Sequence, residues 1–403
     1  MDNMKAKYKT IIASKKRTFN FSLLNALLIL LMCYFADNLR YSFFSGPSIG
    51  QRIEQIRELL GMVSKNIPDE YVFINIAYDK QLVPLFDEYG LPVGNIDITD
   101  RYKLSQFISE LGNKHKFVLF DVLLSEQYKS EHDSLLVASL LKTDRISISR
   151  SSTTNLIDPR LNRMAGYTDY ATDLLETSFV KYEFTRNNEP SMPLMAYQSI
   201  CKQNIFHSFG PLYWSNQHLC RNALTLHFPI KPWNSHDYVQ EATLDGLQEK
   251  KILNLGTDIL EMGANIPSLV EDKIVVIGDF IENDIHDTYL GKIAGPIINV
   301  NAFEALRNNR LQIPWSLIIV LLFFYTLVTY VMLKKYISMD KFLCILHLDN
   351  VYVKYLLSFI GYSFLLTIVG GAIYLTYDLD INIIIPTIWF TFLRGLTNKI
   401  VAL

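Results

Sequence analysis

The densest set of groups able to do chemistry is Asp279, Glu282, Asp284, His286 and Asp287. It directly follows the apolar run Lys273-Ile-Val-Val-Ile-Gly278. Carboxylates with one imidazole can bind a divalent cation or grip a polar ligand. They can equally form a solvated loop whose Asp and Thr side chains cap turns. The sequence leaves both readings open and assigns no metal. Thr288 closes the segment. Asp121, at the end of a second apolar run, and Asp133, at the start of a helical one, form a possible acid pair; strand ends and helix starts also take Asp for structural reasons. There is no His-Glu-x-x-His, Gly-x-Ser-x-Gly, Walker A or Gly-x-Gly-x-x-Gly pattern. No cofactor is called for. The four cysteines include no Cys-x-x-Cys pair, which argues against a thiolate zinc site. Cys201 and Cys220 can form a disulfide in an oxidising compartment or remain two buried thiols. Among the aromatic residues, Tyr213, Trp214 and Trp233 can line a pocket or pack a core.

These side chains need a scaffold, and four β-rich runs supply one: 71–77, 116–122, 145–149 and 273–278. Near-continuous apolar runs suit strands buried on both faces. Helical patterns alternate with them. Asp100 can cap a helix bearing Leu104, Phe107, Ile108 and Leu111 and closed by Gly112, and a second spans 131–142. Alternation of this kind predicts an α/β domain with a mostly parallel sheet. Residues 47–65 read as an amphipathic helix with Ile49, Ile53, Ile56 and Leu60 on one face. Asn301 is expected to cap a helix carrying Phe303 and Leu306, and Gly291 and Gly295 to permit tight turns. The pattern blurs between 150 and 270.

Apolar runs at both ends add a membrane region. Residues 19–36 carry no charge and follow six basic residues, Lys5, Lys7, Lys9, Lys15, Lys16 and Arg17. A bilayer core of ~30 Å needs about 20 helical residues. The absence of a small-x-small site after the run favours an uncleaved anchor over a signal peptide. Further spans are expected at 313–333, 355–376 and 381–396, the last short and containing Pro386; together they make about four transmembrane helices. The connections read basic (Lys334, Lys335, Lys341, Lys354), acidic (Asp378, Asp380), then basic (Arg394, Lys399). That alternation places residues 1–18 and the C-terminus in the cytoplasm and the domain 37–312 outside the cytoplasmic membrane. A net charge of -2 gives no field for nucleic acid.

This layout, and certain residues, resemble the type-2 CHASE family, the bacterial cyclase/histidine-kinase-associated sensory extracellular domains. Lys273-Ile-Val-Val-Ile-Gly278, the Asp284…Thr288-Tyr-Leu-Gly291 segment, and Gly295 followed by Asn301-Ala302 are similar to the family's strand, loop and helix start. Phe73-Ile-Asn-Ile76 and Phe120-Asp121 with Asp133 resemble its earlier strands. The match is specific over 273–306. Thr288-Tyr289 stands where the family often has Thr-Pro, and Asn299 where it often has His. The resemblance implies an extracytoplasmic sensor. The candidate ligand-binding residues are Asp284, His286, Thr288 and Asp121, of which Asp284 and Thr288 also match the family's loop. Since the chain ends soon after its last apolar run, output is expected from a signalling partner or a second copy. A membrane-tethered hydrolase is the alternative.

Overall fold

A computed structural model describes residues 2–39, 48–60, 62, 68–87, 89–172, 179–187, 189–202, 207–209, 212–215, 218–230, 252–334 and 351–402. Tyr41, Trp233, Lys335, Lys341 and Cys344 lie outside the described residues.

The four expected strands all form and join one sheet. They are β1 (Tyr71–Asn75), β4 (Phe117–Phe120), β5 (Ile146–Arg150) and β8 (Ile274–Gly278). Two short strands at the edges, β6 (Ala165–Tyr167) and β7 (Ile252–Asn254), complete six strands in the order β7-β1-β8-β4-β5-β6. Every pairing is parallel. A parallel sheet must be covered on both faces, and two separate apolar cores do this. Helices α3 (Arg101–Glu110) and α4 (Asp133–Lys142) pack on one face with Leu104, Phe107, Leu136 and Leu140. On the other face, α5 (Met192–Cys201) and α6 (Gly295–Arg307) pack Leu194, Ile298 and Phe303 against Phe73 and Val276. Burying one such side chain contributes about 1.5–3 kcal/mol. The hairpin β2 (Lys80–Phe86) and β3 (Pro92–Thr99) stands beside the sheet.

Local signals explain the helix ends. Asp100 accepts hydrogen bonds from Tyr102 N and Lys103 N, and Gly112 past the end of α3 has φ +65°. Helix α2 (Ile49–Leu59) begins with a capping box between Ser48 and Gln51. Its expected apolar face is not the buried one. Gly50 and Gln51 are buried, whereas Ile56 and Leu60 are exposed, because only the first turn of α2 is inserted between domain and membrane helices. Asn301 is not a cap either: α6 starts six residues earlier with Pro296 in its first turn. The buried Asn301 amide instead donates to Ile230 O (2.8 Å) and accepts from Ile230 N (3.0 Å).

Among the described residues three helices are long and apolar enough to cross a membrane: Lys15–Asn38 of α1 (Asp2–Asn38), α7 (Trp315–Leu333), and Tyr352–Tyr377 of α8 (Val351–Tyr377). A fourth, α9 (Ile384–Ala402), has its apolar part over Ile384–Leu396. At ~1.5 Å per residue that stretch reaches about 20 Å, short of a ~30 Å hydrocarbon core. Pro386 falls in its first turn, where a missing N–H costs nothing, and Asn382 caps it by accepting from Ile385 N (3.1 Å). Polar ties cross the bundle. Asn25 donates to Thr329 Oγ1 (2.9 Å) and accepts from Trp389 Nε1 (2.7 Å), linking α1, α7 and α9.

All four helices present one end to the α/β domain. Tyr34 near the end of α1 donates to Cys220 O (3.0 Å), and Ile313 N before α7 donates to Leu219 O (2.8 Å). Arg310 pairs with Asp378 past α8, and Arg221 donates to Asp380 O (2.8 Å) before α9. The deepest contact centres on the Asp380 carboxylate. It accepts from Gly50 N (2.7 Å) and Ser48 Oγ (2.7 Å) at the start of α2, and meets His227 Nε2 at 3.2 Å. His227 Nδ1 lies 3.1 Å from the Tyr374 hydroxyl, which donates to Glu54 Oε1 (2.8 Å). Burial pushes the Asp380 pKa up, but His227, Ser48 and Gly50 outweigh it and hold the carboxylate below its usual range.

Candidate functional site

Parallel strands end together, so the residues just past them converge. Here they line a crevice of about 470 Å³ at the carboxyl edge of β1, β4, β5, β6 and β8. Ligands of open α/β sheets bind at such edges. The hairpin residues Ile96–Thr99 and the start of α3 wall one side, and β9 (Ile285–Thr288) with the start of α6 walls the other.

Of the four residues singled out by sequence, three meet here. Asp121 leaves β4 and keeps some contact with the crevice. Asn299 Nδ2 of α6 donates to its Oδ2 (2.6 Å), and Asn299 is itself held by the buried Tyr182 hydroxyl (2.6 Å). Burial, and then the negative charge of Asp284, push the Asp121 pKa up to about 8. Asp284 accepts from His286 Nε2 (2.7 Å), and His286 Nδ1 pairs with the Tyr170 hydroxyl. Burial, then the Asp284 charge, raise the Tyr170 pKa, so the phenol keeps its proton. Thr288 does not join them. Its hydroxyl donates to Gly291 O (2.8 Å) and accepts from Leu290 N (3.2 Å), closing the β9–β10 turn (β10, Gly291–Ala294) at Gly291, φ +97°.

The rest of the acidic cluster divides by role. Asp279 caps the loop after β8, accepting from Ile281 N (3.0 Å) and Glu282 N (2.9 Å) and pairing with Lys80 (3.2 Å). Burial raises its pKa, yet those N–H groups and the Lys80 ammonium reverse the shift and hold it low. Asp133 accepts from Ser130 N (2.8 Å) and faces Arg101 at 3.6 Å, so it is no acid partner of Asp121. Gly295 is needed for proximity, not for a turn: a Cβ there would lie 2.1 Å from Asp284 Oδ2, and its N–H donates to Asp284 O (2.7 Å). Among the described residues no group of three or more His, Cys, Asp or Glu is arranged to hold a metal ion.

No family model, no curated protein and no solved structure matches the chain.

Chemically, the crevice pairs an oriented imidazole with two nearby carboxyl groups. Both His286 nitrogens are engaged, one by Tyr170 and one by Asp284. A serine hydrolase needs one of them on a hydroxyl nucleophile. Ser149 Oγ lies instead 2.7 Å from Thr168 Oγ1. Cys201 and Cys220 are both free thiols, so the disulfide alternative gives way to the buried-thiol one. Burial raises the pKa of each, which disfavours the reactive thiolate. Tyr213 and Trp214 sit on a strand, Leu212–Ser215, outside the crevice. Tyr170 carried no signal in the sequence, and Asn299 stood out only as a departure from the family pattern; each meets its partner more than 100 residues away in sequence.

Proposed function

We propose that the chain is a membrane-anchored sensor whose α/β domain binds a small polar molecule in the crevice at the carboxyl edge of its sheet. The observation that carries this is the convergence of Asp121, Asp284 and His286 there, on elements continuous with the seat on the membrane helices. Strand β8 leads through β9 and β10 into α6. Gln55 of α2 donates to Tyr289 O (2.7 Å) in the turn between β9 and β10. A ligand that favours one arrangement of β9 over another thus biases α2 and, through Asp380, the helices; differential affinity is what such coupling requires. The similarity to type-2 CHASE domains, the shared orientation of the four helix ends and the alternating charge of the connections support a domain outside the cytoplasmic membrane with four spans. Output then comes from a signalling partner or a second copy.

The reading is tested with the full chain in lipid nanodiscs, screened for thermal stabilisation by a metabolite library. At 100 Kd of ligand the gain is about 2.7 kcal/mol, and Asp284→Asn should remove it without any turnover by the wild type. Reproducible ester or phosphoester hydrolysis abolished by Asp284→Ala would instead establish the hydrolase.

A further inference from the structure

The polar groups around the crevice are short of partners at two ends. At one end Asp121 and Asp284 face each other closely enough for the second charge to raise the pKa of the first. Lys80 is paired with Asp279, and Asp284 meets only the His286 imidazole, so neither carboxylate has a lysine or arginine partner among the described residues. At the other end stands Arg101, only 2% exposed yet lining the crevice. Its Nε and Nη1 have no hydrogen-bond partner among the described residues; Nη2 makes a 3.4 Å contact with Leu123 O, and Asp133 stands at 3.6 Å. Unpaired N–H groups on a desolvated guanidinium are costly and suit a planar anion that accepts two of them. Leu123 is two residues past Asp121, at most about 7 Å of chain, so the two ends are close.

We propose that the crevice binds a zwitterionic amino-carboxylate, its ammonium between Asp121 and Asp284 and its carboxylate on Arg101. This rests on the sensor reading and names its ligand class. The ammonium lets Asp121 and Asp284 both carry a charge side by side, and the carboxylate completes the guanidinium. A cation alone leaves Arg101 unsatisfied, and an anion alone meets the acidic wall.

The test uses the full chain in nanodiscs and calorimetric titration with straight-chain amino acids of two to six carbons, amino group terminal, against alkylamines and alkanoates of the same lengths. One amino acid length should bind at least ten-fold tighter than both of its halves. Asp284→Asn should weaken that amino acid at least ten-fold. Arg101→Lys, which keeps the charge but loses the fork, should weaken it while leaving alkylamine binding unchanged, and its melting curve reports whether it folds. Alkylamines binding as tightly as the amino acids would overturn the role of Arg101, and alkanoates doing so would overturn that of the acidic pair. If none of the three series binds, the ligand class is wrong. The sensor reading itself falls only if the metabolite screen also gives no stabilisation.

Discussion

Asp380→Ala should detach α2 from the membrane helices and lower the stability of the whole chain by about 3–5 kcal/mol, the usual cost of breaking a buried pair by removing one partner. At 2–4 °C per kcal/mol for a domain of this size, the melting temperature should fall by roughly 6–20 °C. One side chain has so large an effect because three groups converge on its carboxylate: Gly50 N–H, Ser48 Oγ and the His227 imidazole. Asp380→Asn keeps acceptor capacity and should cost clearly less. Because the native pKa of Asp380 lies below its ordinary value, its contribution is full above about pH 4 and disappears as pH falls through the native pKa. The alanine variant should lack that acid-dependent step. Hydrogen exchange at Ile49–Leu59 reads the same event locally: protection there should drop in Asp380→Ala while protection in β4 and β8 persists. Equal loss in all three segments would mean that the seat is not a separate joint.

The second large effect is a pH dependence. Asp121 has an ordinary pKa of 3.8 and is raised to about 8 in the fold. Between these values the native state holds a proton that the unfolded chain has released. Stability is therefore greatest below the unfolded value and is lost as pH rises through the native one. One pKa unit is about 1.4 kcal/mol, so each pH unit inside this window lowers the wild-type melting temperature by roughly 3–5 °C. Asp121→Asn preserves an acceptor for Asn299 and never ionises. It should remove this slope and melt above the wild type at pH 8.5. Parallel profiles for the two proteins would show that Asp121 is ionised throughout, and with it the close approach to Asp284 would fail.

Strands and caps were legible because their causes are local. The runs ending at Ala77, Val122, Ser149 and Gly278 are apolar on both faces, and Asp100 with Gly112 marks the two ends of α3 by side-chain chemistry alone. Asp121, Asp284 and His286 were recognisable as polar groups placed just past strands. What escaped notice depends on the crossing of distant segments. β7 is three residues long and pairs across nearly 180 positions with Phe73–Asn75. Tyr170 and Asn299 acquire their roles only when β6 and α6 arrive at the same edge. Asp380 read as a charge fixing topology, whereas it is the bond between α2, His227 and the bundle. Thr288 stands apart for the opposite reason: its hydroxyl is satisfied within its own turn, by Gly291 O and Leu290 N.

The central claim is that residues 37–312 face away from the side that holds the basic N-terminus. Two single-cysteine variants in a background without the four native cysteines test it, Ser152→Cys on the exposed loop after β5 and Lys16→Cys at the start of the first span. A membrane-impermeant maleimide added to right-side-out vesicles should label position 152 and spare position 16, with the pattern exchanged in inverted vesicles. Labelling of position 16 and protection of position 152 in right-side-out vesicles would put the crevice in the cytosol and contradict the account.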